Sequence, residues 1–501
     1  MTMVNVLSLG KAHSSKARWP AVGRGPRPRT RCRRNTLRYK FATDGAGGRG
    51  LEFCHEIFRS CMMIRNRHLL AGLVLVPLAL WAAAVLPGIA ADNGGFWQWR
   101  RAMVLLSGVL VLWWMSAGIL LATRPAWLER ALGGLDRLYR LHRDIGIGAG
   151  VLVFMHWMAE WAPKNLGKLG LLPPRGRGPR GEPSLWIDLA KDVGEWTGYI
   201  VMALIVVSLL RRVPYRAFRL IHKAFALLFV AGTFHGLVLL PRDWWSGPLA
   251  WSTALLAAAG VVAALLSLSG RIGVRRRHAA RIEALVARSD GVLEVTLRPA
   301  AGWPGHRAGQ FVLVDFGHRF EGAHPFTVAS AWSAAQGTVI LAIKALGDYT
   351  RSLPRLLQVG QAATLEGPYG GFDFAAREAD GRQVWVAGGI GVTPFLARLR
   401  ELREKGRRAD GVALFYSVRN DAVDAFGGEL ADLCRATGVQ LQRWESDAQG
   451  PLPAALIGRQ AGRGSSVWFC GPSAWGESLR LWLRNAGLPG GAFHREYFEF
   501  R

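Results

Sequence analysis

Two stretches of sequence, LHRDIGIGAGVLVFMH at residues 141–156 and IHKAFALLFVAGTFH at residues 221–235, decide the fold of this 501-residue chain. Each is an apolar run with a histidine near either end, and the two histidines are 14 residues apart in the first run and 13 in the second. Ionisable side chains inside apolar spans are costly and usually functional. Because 14 residues of α-helix rise about 21 Å, each run places one histidine near each face of a bilayer.

Around these stretches the chain holds six apolar runs of the length that crosses a bilayer. About 20 residues of helix span its roughly 30 Å of hydrocarbon, and half of all residues are apolar, which indicates a membrane portion. The formal charge of +28 does not indicate nucleic-acid binding, because many basic residues flank the apolar runs and the sequence has no zinc-finger or RNA-binding signature. The predicted spans are residues 69–90, 100–122, 143–162, 194–210, 217–240 and 248–269.

Clusters of arginine and lysine in the short loops predict the orientation of the spans. The loops between spans two and three, between spans four and five, and after span six are basic and should face the cytoplasm, although the outer loop 163–193 is basic too. Both termini are then expected inside, in a multi-pass protein of the plasma membrane (the inner membrane in a bacterium). Spans three and five run parallel, so we expect His142 opposite His222 near the cytoplasm. We expect His156 opposite His235 near the outside.

Two sites of paired imidazoles, one above the other, are what two b haems need, since histidine nitrogen is a standard axial ligand. The competing interpretation is a set of polar residues that face the bundle interior and bond to their neighbours. The spacing raises a difficulty, because a step of 14 residues returns within about 40° of the same helix face whereas a step of 13 misses it by about 140°. Span five therefore needs a change of winding, for instance near Gly232, or its two histidines leave the helix on different sides.

The first 61 residues are rich in Arg, Gly and Pro and have no periodicity that could build a core, so we predict a disordered basic tail at residues 1–61. Met62 and Met63 precede a more typical membrane-protein start, which favours the interpretation that the tail is an over-called translation start. A basic cytoplasmic extension is the alternative, and a cleaved signal peptide ending near Gly88-Ile-Ala-Ala91 is a third interpretation. We prefer a retained first helix, because the run is about as long as a bilayer span.

The character of the sequence changes after Arg277. Short alternating runs at residues 293–297, 311–315 and 339–343 predict a small β-barrel. From about residue 381 a strand–helix–strand pattern predicts an α/β nucleotide-binding domain. The five cysteines include no C-x4-C-x2-C run, which argues against an iron–sulfur domain. The predicted domains are a transmembrane haem domain at 62–270, a β-barrel at 278–378 and an α/β domain at 380–501.

The paired histidines followed by these two domains resemble the NADPH oxidase and ferric reductase family, over about residues 69–501. The resemblance implies a multi-domain membrane protein with a six-helix transmembrane bundle, a β-barrel FAD-binding domain and an α/β NAD(P)-binding domain of the ferredoxin-reductase type. It implies FAD, two haem b groups and NADPH as cofactors, with NADH as an alternative donor. The implied iron ligands are His142, His156, His222 and His235.

His324-Pro-Phe-Thr327 resembles the flavin signature of this family, which implies Phe326 against the isoalloxazine ring and Thr327 on its polar edge. His324 stands where the wider superfamily has arginine. The segment 343–350 resembles the pyrophosphate segment, in which Gly347 lets main-chain N–H groups approach phosphate and the Thr350 hydroxyl can donate a hydrogen bond. The implied flavin contacts are His324, Pro325, Phe326, Thr327, Lys344, Gly347, Thr350, Gly367 and Gly370.

Ala387-Gly-Gly-Ile-Gly-Val-Thr-Pro394 follows a predicted strand and opens a helix, so its N–H groups suit a pyrophosphate. Ser417 and Arg419 end the next strand and could grip a 2′-phosphate, and the alternative for Arg419 is a solvated surface charge. The implied nucleotide contacts are Gly388, Gly389, Gly391, Thr393, Pro394, Ser417, Arg419, Gly471 and Pro472.

The resemblance also assigns two residues to the site of hydride transfer. It implies that Cys470 is a small, polarisable contact for the nicotinamide and not a covalent nucleophile. It implies that a carboxy-terminal aromatic residue covers the flavin until the nicotinamide displaces it. We assign this role to Phe498, with Phe500 as the runner-up.

These features predict an NAD(P)H-dependent oxidoreductase that moves electrons from NADPH through FAD and two haems to an extracytoplasmic acceptor, a ferric chelate or oxygen. One alternative is an electron-transfer module that serves a periplasmic protein or a quinone. Another is a soluble reductase tethered to a haem-free anchor. The expected partners are the lipid bilayer and a small-molecule acceptor, while nucleic acid is not expected and a partner protein is not indicated.

Overall fold

The structure, a computed structural model, has Arg59–Arg501 in one compact unit. The predicted tail at residues 1–61 lies outside the described residues, and so do the candidate flavin cover Phe498 and its runner-up Phe500. The described residues are 66–91, 95–173, 184–210, 213, 215–318, 321–374, 382–462 and 464–496.

Six helices of the described ranges are long and apolar enough to cross a membrane, which confirms the predicted number of spans. A short additional helix lies between the second and third spans, and it ends at Gly133 in the left-handed conformation that glycine adopts most easily. The helices are α1 (Asn66–Ala91), α2 (Phe96–Ala122), α3 (Ala126–Leu132), α4 (Leu135–Lys168), α5 (Leu185–Leu209), α6 (Tyr215–Val238) and α7 (Pro248–Leu268).

Two of these helices are longer than the apolar runs that predicted them. Helix α4 extends beyond the predicted 143–162 at both ends, and α5 begins nine residues before the predicted 194–210. The added turns carry charged side chains such as Asp188 and Lys191, which form an ion pair of 2.9 Å on one face of α5. An apolar run marks only the lipid-facing part of such a helix, so its amphipathic end is missed.

The second region is a six-stranded antiparallel sheet in the strand order β4-β3-β6-β1-β2-β5, which curls into a half-barrel as predicted. Alternate side chains, among them Val295, Leu297 and Leu341, fill its core. Its elements are β1 (Arg277–Ala287), β2 (Val292–Pro299), β3 (Phe311–Asp315), β4 (His324–Thr327), β5 (Val339–Lys344), α8 (Asp348–Leu356) and β6 (Ala362–Tyr369).

The third region is a parallel sheet of five strands in the order β11-β10-β7-β8-β9. Consecutive side chains of β7 enter two different apolar cores. Trp385 packs in one core with residues of α9 and α10, and Val386 packs in the other with residues of α12 and α13. Helices therefore cover both faces of this strand. The elements are β7 (Gln383–Gly388), α9 (Thr393–Glu404), β8 (Val412–Val418), α10 (Gly427–Thr437), β9 (Gln440–Glu445), α11 (Ser446–Gln449), α12 (Ala454–Gln460), β10 (Ser466–Cys470), α13 (Ser473–Asn485) and β11 (Phe493–Arg495).

The half-barrel and the bundle share an apolar core. Phe311 of β3 and Tyr369 of β6 belong to the same cluster as Leu132, Leu138 and Leu141 of the bundle. This contact seats the half-barrel against the end of the bundle that carries α3.

Candidate functional site

Four histidines lie inside the bundle as two pairs. The ring centres of His142 in α4 and His222 in α6 are 5.9 Å apart, and we call these residues the inner pair. His156 and His235, on the same two helices, have ring centres 6.4 Å apart and form the outer pair. The inner pair is the one nearer the half-barrel, because Leu141, next to His142, belongs to the core that the bundle and the half-barrel share.

Both pairs have the spacing of two axial ligands on one iron. An imidazole nitrogen lies about 2 Å from a metal that it binds and the ring centre lies roughly 1 Å farther, so two rings on opposite sides have centres about 6 Å apart. The separations of 5.9 and 6.4 Å meet this requirement. The residues present therefore fit two haem groups, one for each pair.

Main-chain carbonyls orient one ring of each pair. Nδ1 of His142 lies 2.9 Å from the carbonyl oxygen of Gly118, and Nδ1 of His235 lies 2.7 Å from that of Ala190. Because a carbonyl oxygen only accepts, Nδ1 donates in both cases and Nε2 is left to bind a metal.

The two remaining rings are held differently. Nδ1 of His156 lies 2.9 Å from the hydroxyl of Ser107, which itself donates to the carbonyl of Val104 at 2.8 Å and therefore accepts from the ring. Nδ1 of His222 has no hydrogen-bond partner within the described residues. Its ring instead stacks on Phe218, with centres 5.1 Å apart and planes at 23°.

The unequal histidine spacing is accommodated without a break in the fifth span. Helix α6 is an α-helix throughout, including Gly232, so the alternative in which His222 and His235 leave it on different sides is the one that fits. His235 points toward α5, where a side chain on Gly194 would come within 2.0 Å of its Nδ1. Glycine at this position gives the imidazole its space.

The candidate flavin segment lies on β4 and the loop that precedes α8. Thr327 is buried, and the ring of Phe326 packs 6.3 Å from that of Phe316. His324 stacks on Tyr349 with ring centres 4.4 Å apart, and burial lowers its pKa although Glu321 opposes this effect. A neutral imidazole therefore stands where the wider superfamily has a permanent positive charge.

The loop before α8 is closed by its own residues. The Thr350 hydroxyl accepts hydrogen bonds of 3.0 Å from the N–H groups of Leu346 and Gly347. It also donates to the Gly347 carbonyl at 3.1 Å, so in this structure Thr350 shapes the turn that was predicted to hold phosphate. Lys344 is paired with Asp290. Gly367 lies within β6 and Gly370 directly follows it, and both glycines have positive φ angles.

The glycine-rich turn after β7 is packed directly against the turn after β10. A Cβ atom on Gly391 would lie 2.2 Å from the carbonyl oxygen of Cys470, and one on Gly388 would lie 3.0 Å from Pro472. Thr393, which is buried, and Pro394 open α9. The structure thus brings the glycines and Cys470-Gly-Pro472 together at the carboxyl edge of a parallel sheet, where such sheets bind nucleotides. We call this edge, with Gly388–Pro394 and Cys470–Pro472, the nucleotide cleft.

Cys470 is fully buried, and this burial raises the pKa of its thiol well above the usual value. A neutral thiol is a poor nucleophile, which agrees with a packing role at the nicotinamide. The residues predicted for the 2′-phosphate are farther out along β8. Ser417 pairs in register with Gly388, whereas the Arg419 side chain is 66% exposed and lies 3.5 Å from Asp290 on the half-barrel.

One buried residue of this cleft was not found from the sequence. Glu496 is 7% exposed, and neither of its carboxylate oxygens has a hydrogen-bond partner within the described part of the chain. Burial raises its pKa well above the usual value, and Asp136 at the start of α4 adds to the effect. The main-chain N–H of Glu496 lies 3.4 Å from the carbonyl oxygen of Phe469, which places Glu496 beside Cys470. The sequence gives no signal that separates this glutamate from its neighbours.

Comparison with known proteins identifies two of the three regions. Residues 107–233 match the family described as ferric reductase like transmembrane component, and residues 277–373 match an FAD-binding domain. The chain is 33% identical over 124 residues to ferric reduction oxidase 8, mitochondrial, from Arabidopsis thaliana, which covers 22% of this chain and 16% of that protein. It is 29% identical to the carnitine monooxygenase reductase subunit of Escherichia coli, over 30% of this chain and 44% of that one.

Solved structures that match this chain include a flavohemoglobin from Malassezia yamatoensis with bound FAD and heme, at 17% identity and a TM-score of 0.42, covering 79% of this chain and 97% of that one. Phthalate dioxygenase reductase matches 44% of this chain and 67% of its own, at 23% identity and a TM-score of 0.38. The chain spans between 40% and 60% of the length of the curated reductases and flavohemoproteins that it matches. This multi-pass membrane protein therefore carries, on one chain, a transmembrane region of the ferric-reductase-like family followed by a domain of an FAD-binding family.

Proposed function

We propose that this protein moves electrons from NADPH, with NADH as an alternative donor, through FAD and two b haems to a small acceptor on the far side of the membrane. The observation that carries the proposal is the stacking of two histidine pairs along one bundle, both with the spacing of axial ligands, above an FAD-binding half-barrel. A chain of cofactor sites that starts at the half-barrel and ends at the opposite membrane face has the arrangement that transmembrane electron transfer requires.

The histidines would hold the haems through Nε2, His142 with His222 at the inner site and His156 with His235 at the outer site. When bound, FAD would supply the conversion of a two-electron hydride donor into single electrons, and haem would supply one-electron chemistry. The chain itself contributes the orientation of the imidazoles and a path from which apolar helices exclude water. No protein side chain has to act as a nucleophile.

In the soluble half, the chain binds and orients the two nucleotides. The N–H groups of the turn Gly388–Thr393 would bind the pyrophosphate of the donor, and Ser417 with Arg419 its 2′-phosphate. Phe326 and Thr327 would contact the flavin, with the phosphates of FAD near Lys344 and Gly347. Buried Cys470 and Glu496 would shape the nicotinamide site, and burial raises the pKa of the Glu496 carboxyl.

The orientation of the protein follows from its basic loops. They favour a cytoplasmic location for the end of the bundle that carries α3, and the half-barrel packs against the same end. NADPH would then be oxidised in the cytoplasm, and the acceptor would be reduced outside the plasma membrane, or the inner membrane of a bacterium. A ferric chelate or oxygen would be the acceptor, and the basic loop 163–193 favours an anionic iron complex. We also propose the domain limits 62–270, 278–378 and 380–501.

The decisive experiment is a reduced-minus-oxidised absorption spectrum of the purified full chain, with haem and FAD quantified and with NADPH-dependent reduction of ferric citrate or oxygen measured in the same sample. We expect two b haems per FAD and sustained turnover. A haem content near zero, after expression with ample haem, would contradict the proposal. Turnover only after addition of a membrane extract would instead favour the delivery of electrons to a quinone or to a periplasmic protein.

A further inference from the structure

A buried carboxylate ties the half-barrel to the bundle. Glu366, near the end of β6, is only 3% exposed. One of its oxygens lies 2.6 Å from the guanidinium of Arg124 and accepts a hydrogen bond of 2.8 Å from the hydroxyl of Tyr369. The other oxygen lies 3.1 Å from Nε of Arg277. Donors from three separate segments therefore converge on one side chain.

These donors lie where the chain passes between the two regions. Arg124 is the second residue after α2 in the bundle, and Arg277 begins β1 after the connection from α7. In that connection the main chain at Gly273 comes so close that a Cβ atom would lie 2.4 Å from the Glu366 carboxylate. Glu366 is thus bonded to a bundle loop and enclosed by the connection that joins bundle and half-barrel.

Arg124 is held in a main-chain conformation that residues other than glycine rarely adopt. Its φ angle is +54°, in the left-handed region, and its side chain is 10% exposed. Such a conformation persists only where the surrounding structure imposes it, and it clusters at functional positions. Burying an arginine is also costly unless it is paired. The ion pair with Glu366 accounts for both features.

A second ion pair supports the first. Arg276 lies 2.7 Å from Glu129 of α3, and its guanidinium lies 4.9 Å from the ring centre of Tyr369. The main chain of Gly371 approaches α3 so closely that a Cβ atom there would lie 2.8 Å from the carbonyl oxygen of Gly133. The seam, which we define as Arg124, Glu129, Arg276, Arg277, Glu366 and Tyr369, is therefore closely packed and charged.

The seam links the two cofactor regions by direct contacts. Glu366 immediately precedes the segment Gly367–Gly370, which belongs to the candidate flavin site. Tyr369, in that segment, packs in the same core as Leu138 and Leu141, and the residue after Leu141 is His142 of the inner pair. A movement of the seam would therefore change the distance between this segment and the inner pair.

We propose that Glu366, held by Arg124, Arg277 and Tyr369, is a positioning residue that fixes the FAD-binding half-barrel on the inner-pair end of the bundle and thereby sets the rate at which electrons pass from flavin to the inner haem. The proposal rests on the proposed function. A buried ion pair adds little net stability compared with apolar packing, but it allows few alternative arrangements. Electron transfer depends steeply on distance, so a single arrangement of half-barrel and bundle would fix the rate between flavin and inner haem.

The test is the variant Glu366→Gln in the full chain, followed by stopped-flow mixing with NADPH. The variant keeps the shape of the side chain but leaves Arg124 buried without its counter-charge. We expect haem reduction to slow by about 10- to 100-fold, the effect of misplacing reacting groups by about 1 Å. Flavin reduction by NADPH should change less than about twofold, because the contacts of the nucleotide cleft are untouched. Haem and FAD content should equal those of the unaltered protein.

The matched control is Glu283→Gln, which removes the same charge from the same sheet. Glu283 is paired with Arg298 at 2.7 Å on the exposed face of β1, away from the seam. It should leave both rates unchanged. Equal slowing of flavin and haem reduction in Glu366→Gln, or loss of FAD from it, would show that Glu366 is a general structural residue and would overturn the proposal. Unchanged haem reduction would overturn it as well.

If Glu366→Gln does not fold, Tyr369→Phe removes the hydroxyl that donates the 2.8 Å hydrogen bond to Glu366 and should slow haem reduction in the same selective way, by a smaller factor. Hydrogen exchange gives a readout that does not need haem. The amides of residues 362–369 should exchange faster in either seam variant and not in Glu283→Gln. Absence of haem from the unaltered protein would overturn the proposed function, whereas unaltered exchange in the seam variants would overturn the positioning role.

Discussion

The two cofactor regions of this protein are built from different parts of the chain. In the bundle the candidate haem sites consist of side chains, four imidazoles whose rings are oriented by carbonyls, a hydroxyl and a stacked phenyl ring. In the cleft the candidate pyrophosphate site consists of main chain, a turn of glycines pressed against the Cys470 carbonyl. A site made of side chains fails when atoms are removed, whereas a site made of main chain fails when atoms are added.

The largest effect is expected from removing an outer imidazole. His156→Ala should eliminate the outer haem and leave the inner one, because the inner pair has its own two ligands. The haem-to-FAD ratio should fall from two to one, and reduction of an external acceptor should stop while NADPH still reduces the flavin. Haem quantification and a redox titration measure this. The control is His68→Ala, at the exposed start of α1. If His156→Ala retained two haems, His156 would be excluded as a ligand.

The cleft should respond most strongly to an added side chain. Gly391→Val would place Cβ within 2.2 Å of the Cys470 carbonyl oxygen, and main chain cannot move aside as a flexible side chain can. We expect the efficiency of NADPH oxidation to fall by roughly 100-fold, from an overpacking cost of up to about 3 kcal/mol. Haem and FAD content should be retained.

Steady-state kinetics and cofactor quantification check this second prediction. Gly411→Ala is the control, because a Cβ atom at this position meets nothing within 4 Å. Nearly normal NADPH oxidation by Gly391→Val would mean that the two turns are not held together as the structure has them.

The same contrast explains how much the sequence could predict. The six spans and the two histidine levels followed from apolar length and from helix geometry, which are local properties. Helix α3 and the extended ends of α4 and α5 were missed because they are short or amphipathic. Glu366 and Glu496 could not be found either, because burial of a carboxylate depends on segments far apart in the chain. In the cleft, sequence order located the glycine turn, but the close approach of Gly391 to Cys470 required the fold.

The buried carboxyl of Glu496 should make stability depend on pH. Its pKa is raised in the folded state by burial, so above the unfolded value of about 4.3 the unfolded chain has lost a proton that the folded chain still holds. Stability should therefore fall as pH rises, by about 1.4 kcal/mol per unit, until the folded pKa is reached. Replacement by Gln, which cannot ionise, should flatten this dependence.

Thermal unfolding of the detergent-solubilised protein at about pH 5.5 and about pH 8 tests the Glu496 prediction. Between these two pH values, the unfolding midpoint of the unaltered protein should fall by more than that of Glu496→Gln. The exposed residue Glu404, changed to Gln, is the control and should behave like the unaltered protein. An equal pH dependence in Glu496→Gln would show that the carboxyl is not the group that titrates.

A smaller effect is expected at the edge of the nucleotide cleft, where side chains only adjust the affinity for NADPH. Arg419 is 66% exposed and shared with Asp290, so its bond to a 2′-phosphate competes with water and with a carboxylate. Arg419→Ala should raise the Michaelis constant for NADPH by roughly 5- to 30-fold, or about 1 to 2 kcal/mol, and leave that for NADH nearly unchanged. Equal changes for both donors would make Arg419 a surface charge. Arg435→Ala, also exposed and paired with a carboxylate, is the control.

The smallest effect should come from a residue that contacts one of the candidate iron ligands. Ser107 accepts a hydrogen bond from Nδ1 of His156, and no side-chain hydroxyl plays this part for His142, whose Nδ1 donates to a main-chain carbonyl. Ser107→Ala keeps all four imidazoles but weakens the electron donation of His156, so the outer haem should become easier to reduce. One hydrogen bond is worth about 1 kcal/mol, which corresponds to roughly 40 mV for one electron. A spectroelectrochemical titration should show the outer potential shifted upward by about this amount and the inner potential unchanged.

Ser252→Ala in α7 is the matched control, because the Ser252 hydroxyl donates to a carbonyl of its own helix. A shift of the inner potential instead would reverse the assignment of the two levels, and with it the conclusion that side chains behind the ligands tune each haem separately.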